Sequence, residues 1–97
     1  MSLDELTAAV REKVTGSSIS SVIVFDLKGE GTIRIDGSKS PPEVDNENDG
    51  ADCTITVALE DFRDIIKGDQ NAQMAFMMGK LKVDGDMGAA MQLAGAL

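Results

Sequence analysis

The chain has no histidine, no tryptophan and no tyrosine, one cysteine, two prolines and three phenylalanines among 97 residues. Each shortage excludes something. Without histidine the commonest general base is missing, and so are the Ser-His-Asp and Cys-His pairings. Cys53, the single thiol, forms no internal disulfide, which fits a reducing compartment. Nine basic against seventeen acidic residues leave a formal charge of −8. That sign opposes nucleic acid, so no nucleic-acid partner is expected. It also opposes firm attachment to anionic lipid, while transient contact with a neutral membrane is compatible with it. No window approaches the roughly 20 apolar residues of a spanning helix. The first residues lack the basic segment and apolar run of a signal peptide. Gly95-Ala96-Leu97 lacks the basic middle residue of a peroxisomal tripeptide. The expected location is the cytoplasm.

What remains is an ordinary soluble composition, 42% hydrophobic and 27% charged, in a length that makes residues 1–97 a single domain. Leu3, Leu6, Val10 and Val14 recur at helical spacing, with Ser2 and Glu5 placed as a capping box and Gly16-Ser17-Ser18 as the stop. Four segments then alternate with a period of two: Ser21 to Lys28, Thr32 to Asp36, Ala51 to Val57 and Lys80 to Asp84. Such alternation predicts a sheet covered on one face and wet on the other. Lys28-Gly29-Glu30-Gly31 reads as a hairpin. Residues Gly37 to Gly50 form a polar, acidic connection through Pro41-Pro42, with Glu43 to Asn46 as a candidate edge strand.

Helical segments supply the cover. Leu59 to Lys67 carries Leu59, Phe62, Ile65 and Ile66, and Gly68 is a natural stop. Asn71 caps a short helix through Met78 whose nearly all-round apolar run predicts burial on more than one side. Asp86 caps a tail, Met87 to Leu97, that carries no charge. Met87, Ala90, Met91 and Ala94 are its expected inner stripe, and something apolar is expected to lie against it. The fold class is α+β, with helices gathered on one face of the sheet.

Candidate chemistry is sparse. Cys53 falls on the apolar face of a strand, where a thiol is inert packing. Asp45 to Gly50 opens like a calcium loop, but Asp52 and Thr56 stand where an apolar residue and a bidentate Glu belong. A solvated acidic loop is the better reading, so no metal and no cofactor are expected. Five of six methionines, Met74, Met77, Met78, Met87 and Met91, cluster in the last two helical segments. Thioethers fill irregular cores and also re-form around varied guests. Gly88 and Gly95 each cost a helix about 1 kcal/mol relative to Ala, which marks the tail as a movable cover.

Ala51-Asp52-Cys53-Thr54-Ile55-Thr56, Asp61-Phe62, Gly68, Asn71, Ala75-Phe76 and the run Gly79 to Met91 resemble the sterol carrier protein type 2 domain family over residues 20 to 97. The resemblance implies a five-stranded sheet with about four helices on one side and an apolar tunnel between the layers. It implies non-catalytic binding and transfer of a lipid ligand: sterol, fatty acid, acyl-CoA or phospholipid. The sequence departs from the family at Leu59, where an Asp often caps the helix, at Ala72, often Pro, and at Ile33, often Trp. The residues expected to meet the ligand are Phe25, Ile33, Ile55, Phe62, Ile66, Met74, Met77, Leu81, Met87 and Met91. A monomer or weak homodimer is expected. The competing reading is an interaction module that docks through its uncharged C-terminal helix.

Overall fold

A computed structural model describes residues 2–15, 19–39, 42–47 and 51–96. Helix α1 (Leu3–Val14) leads into β1 (Val22–Asp26), β2 (Thr32–Asp36), β3 (Glu43–Asp45) and β4 (Cys53–Val57). Helices α2 (Leu59–Lys67) and α3 (Ala72–Met77), strand β5 (Leu81–Gly85) and helix α4 (Met87–Ala96) follow. The five strands lie in the order β3-β2-β1-β4-β5. All neighbours are antiparallel except β1 and β4, which run parallel at the centre. The expected helix stop at Gly16-Ser17-Ser18, Pro41, the loop residues Asn48, Asp49 and Gly50, and Leu97 lie outside the described residues.

The register turns the period-two pattern into a core. Ile23 stands opposite Ile35 and Cys53, Phe25 opposite Ile33 and Ile55, and Ile35 opposite Val44. Ile55 meets Val83, and Val57 meets Leu81. Each of these inward pairs is apolar on apolar, and a one-residue slip would turn the set to water. The other face carries Thr32, Arg34, Asp45, Thr54 and Lys82. There Val24 is fully buried without belonging to the main core, between its cross-strand neighbours Arg34 and Thr54. Arg34 also grips Asp45, at 3.1 Å from Nε and 2.8 Å from Nη2.

Helix α1 buries Leu6, Val10 and Val14 completely, worth about 1.5–3 kcal/mol apiece. Its start is held as the sequence predicts: the Ser2 hydroxyl accepts from the Glu5 amide, and the Glu5 carboxylate accepts from the Ser2 amide at 3.2 Å. Those Ser2 bonds, the backbone one foremost, hold the Glu5 carboxyl below its ordinary range. The far end of α1 is tied to the edge of the sheet. Arg11 donates to the Val44 carbonyl at 3.0 Å, and the Asn46 amide donates to the Thr7 hydroxyl and the Thr32 carbonyl. Strand β3 is real but short, three residues around Val44. At the hairpin, Lys28 and Gly29 take positive φ and Leu27 closes the turn by hydrogen bonds with Glu30 and Gly31.

Candidate functional site

Helices α2, α3 and α4 cover the β1-β4-β5 end of the sheet, and between the layers lies one apolar slot. Phe25 of β1, Ile55 of β4 and Leu81 and Val83 of β5 line it from the sheet. Phe62 and Ile65 of α2, Ala72, Gln73 and Phe76 of α3, and Ala90, Met91 and Ala94 of α4 line it from the helices. No lining residue is ionisable, and Gln73 is the sole polar one. The void measures about 20 Å³, room for roughly one water molecule. The slot is therefore closed down, and any larger guest must displace one of its walls.

Local sequence explains how each wall is set. On α2, Phe62 and Ile65 point into the slot while Ile66 packs in the core beside it. The Phe62 ring tilts at 47° against Phe25 with centroids 4.7 Å apart, inside the favourable distance range for aromatic pairs. Ala58 precedes α2 without a side-chain cap, and Gly68 ends the helix at φ +86°, a conformation that disfavours any residue with a Cβ. Asn71 then caps α3, its Oδ1 accepting from the amides of Gln73 and Met74 at 2.9 and 3.1 Å. The Lys80 amide reaches back to the Ala75 carbonyl at 2.9 Å, which turns the chain straight from α3 into β5. Asp86 caps α4 by accepting from the Ala89 amide at 3.2 Å.

Half of the ten residues expected at the site do line the slot: Phe25, Ile55, Phe62, Leu81 and Met91. Ile33 and Ile66 are buried core outside it. Met74, Met77 and Met87 do not line it and are exposed. The expectation that the Met74 to Met78 run is buried on more than one side is thus overturned. Helix α3 is only six residues long and buries Ala72 and Ala75, so its methionines have nothing above them. The expected tail stripe also shifts: α4 buries Ala89, Ala90 and Leu93, with Ala94 half-buried. A helix apolar nearly all round has no polar face from which to fix its rotation. Sequence reasoning missed Ile65, Ala72, Gln73, Phe76, Val83, Ala90 and Ala94 as slot residues. Ala90 and Ala94 had been placed on the inner stripe, and the alternation of β5 already turned Val83 inward.

The other candidate groups have structural uses. Cys53 is buried, and burial first, then the negative charges of Asp86 and Asp84, push its thiol above the ordinary range. A thiol kept protonated is a poor nucleophile. Asp45 is engaged by Arg34, whose hydrogen bonds hold its carboxyl below the usual value. Among the described residues no cluster of three or more Cys, Asp or Glu is placed to hold a metal ion. Two larger grooves, about 370 Å³ beside Lys28, Glu60 and Arg63 and about 330 Å³ beside Thr56, Lys82 and Asp84, are open and mixed in polarity.

The sequence model described as the SCP-2 sterol transfer family matches residues 3–97. Sterol carrier protein 2 of Homo sapiens is 52% identical over 48 residues, which cover 50% of this chain and 9% of that protein. Peroxisomal multifunctional enzyme A of Dictyostelium discoideum is 48% identical over 74 residues, 75% of this chain and 14% of that protein. The chain thus spans a small part of the length of either relative. The crystal structure of sterol carrier protein 2 like 2 from Aedes aegypti superposes with a TM-score of 0.81 at 21% identity, covering 98% of this chain and 95% of the other. At that identity the likeness establishes the shared α+β fold.

Proposed function

The chain belongs to the SCP-2 sterol transfer family, and from that premise we propose that it binds a lipid in the slot and transfers it without catalysing a reaction. The observation that carries this reading is the lining: twelve residues with no ionisable group, roofed by a helix that itself carries no charge. Such a surface gains from burying hydrocarbon, about 0.8 kcal/mol per methylene. It offers few groups to orient a reacting bond. Ten buried methylenes would supply about 8 kcal/mol before association costs of about 4 kcal/mol or more are met. About ten buried methylenes thus give millimolar affinity and about fifteen give micromolar affinity, with broad choice among sterols, fatty acids, acyl-CoAs and phospholipids, because Gln73 alone can select a head group. Phe25, Ile55, Phe62, Leu81 and Met91 are the residues we assign to the guest, together with Ile65, Phe76, Val83, Ala90 and Ala94.

Because the closed void holds about one water, binding requires a wall to lift. We take helix α4 as the wall that lifts, since one large buried anchor, two buried alanines and no charged side chain hold it. No described helix is long and apolar enough to cross a membrane. A free, buried Cys53 suits a reducing compartment, which supports a cytoplasmic carrier.

Delipidated protein should take up a fluorescent fatty acid with a 1:1 endpoint. Met91→Asp places a carboxylate at the mouth of the slot and should weaken uptake at least tenfold while leaving the melting temperature nearly unchanged, since Met91 is half in water. Absence of uptake across all four lipid classes would refute the proposal.

A further inference from the structure

We propose that the exposed methionines of α3 and α4 form a docking surface for the zwitterionic interface of a lipid bilayer, set at the mouth of the slot. The proposal rests on the carrier reading and adds the partner from which the guest comes. Among the described residues every exposed large hydrophobic side chain is a methionine: Met74, Met77, Met78, Met87 and Met91, at 58%, 81%, 65%, 49% and 45% exposure. All five belong to α3, its C-terminal cap or α4. A soluble monomer does not ordinarily gather its exposed large apolar residues in one place.

The helical rows put this surface beside the slot. Met77 lies four residues beyond Gln73, which lines the slot, so the two share a face of α3. Met87 lies four residues before Met91, which lines the slot from α4. Helix α3 packs directly on α4, so the rows carrying Met77 and Met91 flank the opening. Met74 and Met78, again four apart, extend the patch outward.

Charge and area name the occupant. No charged residue occurs from Asn71 to Gly79 or from Met87 to Leu97, and all the charge of a chain at −8 lies elsewhere. An anionic leaflet would repel the molecule as a whole. A neutral interface accepts an uncharged, deformable patch, and interfacial binding scales with the apolar area inserted. The five side chains expose the equivalent of about three free methionines. At roughly 200 Å² for a large apolar side chain this is on the order of 600 Å², short of the roughly 800 Å² per partner of a stable dimer. A second copy would therefore be held weakly. The bilayer interface has no such size requirement, and a guest leaving between Met77 and Met91 would pass straight into the acyl region.

The test uses the whole chain in flotation with phosphatidylcholine vesicles, compared with M77Q/M78Q and M77L/M78L, neither of which alters a slot-lining residue. Wild type and the leucine pair should float. The glutamine pair should lose about tenfold in vesicle binding and in vesicle-to-vesicle transfer of a fluorescent fatty acid, with uptake of the same fatty acid from solution unchanged. Binding should fall as phosphatidylserine replaces phosphatidylcholine. The proposal is overturned if wild type stays unbound, if the glutamine pair floats equally, if anionic lipid strengthens binding, or if sedimentation shows a methionine-dependent dimer. A protein that floats but takes up no lipid would refute the carrier reading and leave the docking surface standing.

Discussion

Leu93→Ala tests whether α4 is the moving wall. Leu93 is fully buried, and the other buried side chains of α4 are Ala89 and Ala90. It is therefore the one large anchor of the helix, and it does not line the slot. Truncating a buried Leu to Ala costs about 2–5 kcal/mol. Taking about 3 kcal/mol, the equilibrium for lifting α4 shifts by roughly a hundredfold. Because the slot holds only about 20 Å³, a guest that enters after α4 lifts should enter faster by up to that factor. Amide exchange over residues 91–96 should accelerate alike, while β1 and β4 keep most of their protection. Affinity should fall, since the filled and closed state also loses the anchor. Stopped-flow uptake of a fluorescent fatty acid, read beside the exchange profile, gives both quantities. Unchanged uptake with accelerated α4 exchange would show that the guest uses another route, and the assignment of α4 would be wrong.

Three further outcomes follow from the packing and the charges. Asp45 has its carboxyl held below its ordinary value by Arg34, so the pair stabilises the fold above about pH 4, the unfolded carboxylate range. That contribution is lost as pH falls through the lower folded value; Asp45→Asn should cost about 0.5–1 kcal/mol at neutral pH and flatten the acid decline in urea midpoints. A decline as steep as in wild type would place the acid sensitivity elsewhere. Gly85→Ala should destabilise by about 2 kcal/mol or more, because φ is +113° and a Cβ would sit 2.5 Å from the Asp52 carbonyl oxygen; an unchanged melting temperature would contradict this. Cys53 should react with a thiol reagent at pH 8 only at the rate of unfolding, given its burial and raised pKa. Rapid labelling of the native protein would contradict that.

Much of the architecture was legible because one face of the sheet is wet. Ile23, Phe25 and Leu27, and likewise Cys53, Ile55 and Val57, announce their strands by alternation, and Ser2, Gly68, Asn71 and Asp86 mark helix ends where they are found. The edge strand around Val44 was only a candidate, since three residues with one apolar member have no period. The site was half legible. Inward strand positions follow from the pleat, so Phe25, Ile55 and Leu81 were readable. Met74 and Met77 were not, because length and apolarity argue for burial while only the surrounding structure decides whether anything lies above α3. Small residues such as Ala72 and Ala94 carry too little signal of their own, yet they line the same slot as Phe76 and Met91.

The parallel seam between β1 and β4 is the sole pairing that joins the N-terminal meander to everything after it. Closing it brings together residues about thirty positions apart, whereas β1, β2 and β3 meet through short turns. Local partners come together before distant ones, so the meander should gain protection first in pulse-labelled refolding, with β4 and β5 following. Phe25 would then wait on the early half for eleven companions that arrive with the later one. The cargo bay is thus the final compartment to be assembled, and a half-made molecule has nowhere to stow freight.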